Sequence, residues 1–161
     1  MKTLIVYYGY GEHTKMIAEK IKEELSCDIL RLETKVPYST DYQTVVDETE
    51  DNVETKKTPE IKDISVKIED YETIIIGTPV WWYTITPPIR TFLTKYNLRG
   101  KKIYAFATNA GWLGETFEEI KELIGKVEST ISIKFTTNSK ENKMITKEEE
   151  LEKWIQSIKE V

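Results

Sequence analysis

Ile74-Ile75-Ile76-Gly77-Thr78-Pro79-Val80-Trp81-Trp82-Tyr83-Thr84 decides the fold of this 161-residue chain. With Thr73, its first part is an uninterrupted apolar run. A strand buried on both faces of a parallel sheet reads this way. The run stops at Gly77, and a loop rich in Pro and Trp follows. Thr86-Pro87-Pro88 then reads as a helix start, with Thr as N-cap and Pro in the first turn. Ile89, Phe92, Leu93 and Tyr96 recur at i, i+3, i+4 and i+7, the stripe of a half-buried helix. The stretch is strand, loop, helix.

The same order recurs on both sides. Upstream, Leu4-Ile5-Val6-Tyr7-Tyr8 is a second non-alternating run. It ends at Gly9-Tyr10-Gly11, and Ile17, Ala18, Ile21 and Leu25 mark a helix that begins at His13 or Thr14. Asp28 to Leu32 is a strand interrupted by charge, as edge strands are. Thr40 with Gln43 forms a capping box for a polar helix containing Tyr42, Val45 and Val46. Asp47, Glu48, Glu50 and Asp51 are its wet face. Downstream, Ile103 to Ala107 is a third buried strand, ending at Thr108. Phe117, Ile120, Leu123 and Ile124 mark a helix. Ile131, Ile133 and Phe135 alternate with Thr130, Ser132 and Lys134, which predicts a half-exposed strand. Thr146 with Glu149 forms a capping box for a last helix, with Leu151, Trp154, Ile155 and Ile158 as its buried stripe.

Strands alternating with helices predict an α/β fold: a doubly wound five-stranded parallel sheet with helices on both faces. Burial predicts the order. Strands one, three and four are apolar throughout and belong in the centre; two and five are half-polar and belong at the edges. Order 2-1-3-4-5 satisfies both conditions and is a common doubly wound order. The length predicts a single domain over residues 1–161.

Composition narrows the function. A net charge of −5 opposes general nucleic-acid binding, which needs clustered Lys and Arg. No apolar run approaches the roughly 20 residues that span a bilayer. One cysteine cannot form an internal disulfide, and the start shows no signal-peptide pattern, so a cytoplasmic protein is expected. One His and one Cys, far apart, supply no metal site. Cys27 reads as structural. His13 reads as a phosphate neighbour, a cap residue or an exposed side chain, and no catalytic residue is assigned.

In such sheets ligands bind beyond the carboxyl ends of the strands. Three loops meet there. Gly9, Tyr10, Gly11, Glu12, His13 and Thr14 join a buried strand to a helix start, where free N–H groups and the helix dipole suit a phosphate. Thr78, Pro79, Val80, Trp81, Trp82, Tyr83 and Thr84 carry three consecutive aromatics. At least one is expected in the core and at least one against a planar ligand. Thr108, Asn109, Ala110, Gly111, Trp112 and Gly114 form a small-residue loop whose backbone reaches a ligand edge, with Trp112 able to close over it. The plain alternative for each loop is a turn without a ligand.

On these residues the chain resembles the flavodoxin family, in particular its short-chain bacterial members, over nearly its whole length. Ile76-Gly77-Thr78-Pro79-Val80-Trp81-Trp82-Tyr83 with Pro87-Pro88-Ile89 is similar to the family's flavin loop and following helix. Ala107-Thr108-Asn109-Ala110-Gly111 is similar to its second flavin loop. The resemblance implies flavin mononucleotide (FMN) as cofactor, with residues 9–14 at the phosphate and residues 78–84 and 108–114 at the ring. It implies electron transfer between redox partner proteins, by a monomer or weak dimer with no membrane or nucleic-acid partner. The phosphate loop departs from the family pattern. Hydroxyls are absent at Gly9 and Gly11, and Glu12 stands where glycine is usual.

Three other readings use the same loops. A flavin-dependent NAD(P)H or quinone reductase would leave room for a second planar molecule. A flavodoxin-fold binding protein with weakened cofactor affinity would explain Glu12, whose carboxylate opposes a phosphate unless it points outward. A dinucleotide site would use Gly9-x-Gly11-x-x-Thr14 with Glu33, but leaves Trp81-Trp82-Tyr83 unexplained. A phospho-receiver domain needs acids where Gly9 and Gly77 stand, and is rejected.

Overall fold

The computed structural model describes residues 2–137 and 143–160. The strands are β1 (Thr3–Tyr7), β2 (Asp28–Arg31), β3 (Thr73–Pro79), β4 (Lys102–Asn109) and β5 (Ser129–Lys134). The helices are α1 (His13–Leu25), α2 (Tyr42–Glu54), α3 (Pro87–Lys95), α4 (Thr116–Ile124) and α5 (Glu148–Lys159). All strand pairs are parallel, in the order β2-β1-β3-β4-β5 that burial predicts.

Strand alternation splits the core into two layers. Leu4, Val6, Ile74, Ile76 and Ile103 face α3 and α4, meeting Ile89, Phe92 and Ile120. Ile5, Tyr7, Ile75, Tyr104 and Phe106 face α1 and α5, meeting Ile17, Ile21, Trp154 and Ile158. Both layers are buried, so the middles of the central strands carry apolar side chains on both faces.

The strand at Gly77 runs further than its sequence suggests. β3 continues through Thr78 and Pro79, because Thr78 and Pro79 stay in register with Ala107 and Thr108 of β4. Gly77 is needed for close approach, not for a turn: a Cβ there would collide with the ring of Phe106, its partner across the ladder. Gly77→Ala is therefore expected to destabilise the fold by about 1–3 kcal/mol, the usual cost of overpacking a tight core. Adding Phe106→Leu should recover part of that loss, so urea denaturation of the two single variants and the double should show non-additivity.

Two helix starts differ from expectation. Asp41, not Thr40, caps α2: its carboxylate accepts from the Thr44 N–H at 3.0 Å and from the Thr44 hydroxyl at 2.6 Å. An ionised acceptor outcompetes a neutral hydroxyl. α5 has Lys147 at its N-cap and no side-chain cap. Thr146 instead accepts the Lys134 N–H at 2.7 Å, satisfying the end of edge strand β5. Phe135 lies just past β5 and pairs with Met144 in an isolated antiparallel bridge.

Candidate functional site

Register brings the carboxyl ends of β1, β3 and β4 side by side. Two clefts open above them, of about 570 and 380 Å³, and share Tyr10, Tyr42, Trp81, Asn109 and Ala110 as a common wall. Each falls in the size range of small-molecule sites.

The larger cleft sits on the first loop, with Tyr10, Gly11, Glu12, His13 and Thr14 along it. α1 begins at His13, so the first-turn N–H groups have no intrahelical acceptor and the positive end of the dipole faces the cleft. The Thr14 hydroxyl lies 2.7 Å from that of Thr108, at the end of β4. Only one of the two protons can lie between the oxygens, which leaves the other to donate elsewhere. Gly11 is exposed, with nothing within 4 Å of where a Cβ would stand. Glu12 is exposed at the N-cap. His13 stacks on Phe135, with ring centroids 3.9 Å apart and planes 5° from parallel. That contact fixes the imidazole as part of the wall. Gly9 turns away from both clefts; its carbonyl accepts from the Arg31 guanidinium at 3.0 Å.

The smaller cleft is aromatic. Trp81 is half-buried in a box with Tyr8, Tyr10 and Tyr38, at centroid distances of 5.7, 5.7 and 5.3 Å, all edge-on. Burial pushes the Tyr38 phenol up to about 12. Trp81 and Thr84 then close a tight turn through two backbone hydrogen bonds of 3.0 and 3.1 Å. Its central residues are Trp82 (φ 51°) and Tyr83 (φ 64°). This is the two-residue turn that normally takes Asn-Gly. A left-handed non-glycine residue costs about 1–2 kcal/mol, and such strain clusters at ligand sites. In return both side chains stand at the cleft, Trp82 38% and Tyr83 61% exposed. The Trp82 indole donates to Thr49 of α2 at 3.2 Å. Trp81 packs against the core, and Trp82 and Tyr83 stand at the cleft.

The other residues of this loop divide. Pro79 lines the larger cleft and Val80 the smaller. Thr78 is fully buried, its hydroxyl 3.2 Å from that of Thr86. Thr84 is buried and donates to Glu119, which also accepts from Arg90. On the third loop, Asn109 and Ala110 face both clefts. The Asn109 side chain is pinned at both ends, accepting from Gly111 N–H and donating to Ser132, each at 2.8 Å. Trp112 lines the aromatic cleft and is 61% exposed. Gly111 lies beside the Lys134 side chain. Gly114, at φ 57°, packs so closely on the Tyr83 backbone that no side chain fits there.

Sequence reasoning missed the outer wall. Tyr42, Val45, Val46 and Thr49 of α2 line the aromatic cleft. Phe135, Thr136 and Thr137 line the other. The two-valine step of α2 was visible, but nothing local said where that helix would dock.

Burial pushes the half-buried Cys27 thiol up to about 11, which keeps it protonated at neutral pH. Among the described residues no cluster of three His, Cys, Asp or Glu could hold a metal, and no helix is long and apolar enough to cross a membrane.

The donor set fits a molecule with an anion at one end and a flat ring at the other. A helix start and the Thr14–Thr108 hydroxyl pair lie at one end of the joined clefts, and aromatic walls with Asn109 and Ala110 lie at the other. Known proteins point the same way. A flavoprotein of Lactobacillus acidophilus, solved in complex with FMN, is 27% identical; the match covers 81% of this chain and 92% of that one, with a TM-score of 0.73. A Bacteroides eggerthii protein classed as a flavoprotein shares the fold at 24% identity, covering 98% and 97% of the two chains, with a TM-score of 0.78. An archaeal flavodoxin shares it at 21% identity, covering 97% and 92%, with a TM-score of 0.52. No curated protein matches the chain. The family model for flavodoxin matches residues 2–158, and the chain belongs to the flavodoxin family.

Proposed function

We propose that residues 1–161 act as a single flavodoxin-like domain that binds FMN and carries electrons between redox partner proteins. The observation that carries this reading is the junction of the two clefts at Trp81, Asn109 and Ala110, with a helix start on one side and aromatic walls on the other. The FMN complex of the Lactobacillus acidophilus protein supports it.

In this reading FMN supplies the redox chemistry when bound. The first turn of α1 and the Thr14–Thr108 hydroxyls take the phosphate. Trp81, Trp82, Tyr83, Trp112 and the backbone at Asn109 and Ala110 hold the ring and exclude water from its faces. Gly9, Thr78, Thr84, Gly111 and Gly114 shape the loops from behind. No acid–base side chain is required, and the protein works in the cytoplasm as a monomer or weak dimer. The test is electron shuttling between a reductase and a one-electron acceptor by the FMN-loaded protein, with little nicotinamide oxidation by the protein alone.

A second reading is a flavin-dependent reductase. The exposure of Tyr83 and Trp112 favours it, because the aromatic cleft stays open on one side to another planar molecule. Rapid NAD(P)H oxidation dependent on an added quinone would select it over the carrier.

Glu12 supplies a separate prediction. Its carboxylate lines the larger cleft but is solvated, so its repulsion of a phosphate is screened. Glu12→Gln should tighten FMN about two- to fivefold and leave riboflavin, which has no phosphate, unchanged.

A further inference from the structure

The aromatic turn is held from behind by residues that face neither ligand cleft. Thr84 closes the turn, and its hydroxyl donates to the Glu119 carboxylate of α4. Arg90 of α3 donates to the same carboxylate. All three are buried, at 8%, 8% and 3% exposure, so the contacts are out of water. Two more contacts come from the start of α4. The Glu115 N–H donates to the Tyr83 carbonyl at 2.7 Å, and Gly114 closes on the same backbone. Trp82 and Tyr83, both left-handed, lie between these grips.

The arrangement has a physical reason. A turn of two bulky left-handed residues persists only when its surroundings over-determine it. Its own two hydrogen bonds fix its shape but not its place relative to the sheet. The Thr84–Glu119 bond fixes its place, and Arg90 fixes Glu119 by charge and hydrogen bond, holding the carboxylate aimed at Thr84. Elements α3 and α4 thus set where the Trp82 and Tyr83 rings stand in the cleft.

We infer that Glu119 and Arg90 are positioning residues for the planar-ligand site, acting on the Trp82–Tyr83 turn through Thr84. Thr84 thereby belongs to the support of the site and not to its ligand contacts. The effect on flavin rests on the FMN reading proposed above; the effect on the turn does not.

The test is Thr84→Val, which removes the hydroxyl at nearly constant shape and leaves the Arg90–Glu119 pair intact. Three quantities are read: affinity for FMN and for riboflavin by flavin fluorescence quenching, the visible spectrum of bound flavin, and the near-ultraviolet circular dichroism of the flavin-free protein. Thr84→Val is expected to weaken FMN and riboflavin by the same factor, about tenfold, because the ring half of the site moves and the phosphate half does not. The bound-flavin spectrum should shift, and the aromatic dichroism of the flavin-free protein should change. Thr84→Ser should restore all three. Glu119→Gln, which keeps an acceptor but loses the charge, should give a smaller loss. Wild-type affinity, spectrum and dichroism in Thr84→Val and Glu119→Gln would overturn the inference, as would a fall in melting temperature with every optical signature unchanged. If the wild-type protein binds no FMN, the flavin reading falls by itself. The dichroism of the flavin-free Thr84→Val and Thr84→Ser proteins then decides the positioning role alone.

Discussion

Arg90→Met alone is expected to lower the free energy of unfolding by about 3–5 kcal/mol, whereas Arg90→Met with Glu119→Leu should recover most of that loss. Arg90 is 3% and Glu119 8% exposed. Removing the guanidinium strands a carboxylate that has left water for an interior position. Removing both charges takes away that penalty together with the attraction. A further detail favours recovery in the double variant: the Arg90 Nε and Nη1 atoms find no hydrogen-bond partner among the described residues. The guanidinium is thus incompletely compensated in the native state, and apolar groups of similar volume lose little by comparison. Equilibrium urea denaturation of both single variants and the double measures the coupling. A loss below about 1 kcal/mol for Arg90→Met, the value of a surface pair, would show that the site is wet.

The second large effect concerns the two ends of the ligand. FMN should bind at least about 100-fold more tightly than riboflavin. A phosphate at the start of α1 would meet first-turn N–H groups that have no intrahelical acceptor, and the Thr14–Thr108 hydroxyl pair. Hydrogen bonds to a charged group contribute about 1.5–3 kcal/mol each. Two of them, less the screened repulsion of Glu12, leave roughly 3 kcal/mol, or about 100-fold. Thr14→Val should remove about tenfold of this advantage and leave riboflavin binding unchanged. Equal affinities for the two flavins would mean that the helix start does not seat a phosphate.

The sheet was legible because its signal is local and redundant. Leu4 to Tyr8, Ile74 to Ile76 and Ile103 to Ala107 each read as strands buried on both faces. Polar interruptions at Asp28, Arg31, Ser132 and Lys134 sent the remaining two to the edges. The strand order followed from burial alone, and the structure has it. The three loops were legible as loops for the same reason, since each follows a strand end.

What the sequence hid depends on distant contacts. Gly77 looked like a stop, but its absent side chain makes room for Phe106, nearly thirty residues on. Trp82-Tyr83 carries none of the Asn or Gly that announces a two-residue left-handed turn. Its shape becomes intelligible only with Thr84, Glu115 and Glu119 behind it. Nothing local announced that Thr84 would donate to Glu119 or that Gly114 would pack on the Tyr83 backbone. The α2 wall needed a docking position that no periodicity encodes. The capping-box pattern picked out Thr40, whereas its neighbour Asp41 makes the cap in the structure.

The central claim is that the joined clefts hold FMN. Its most direct test is the visible absorbance spectrum of the purified protein during titration with FMN. Binding predicts a saturable change with one flavin per chain and quenching of flavin fluorescence by the flanking aromatic rings. A spectrum that stays the sum of protein and free FMN throughout the titration would contradict it.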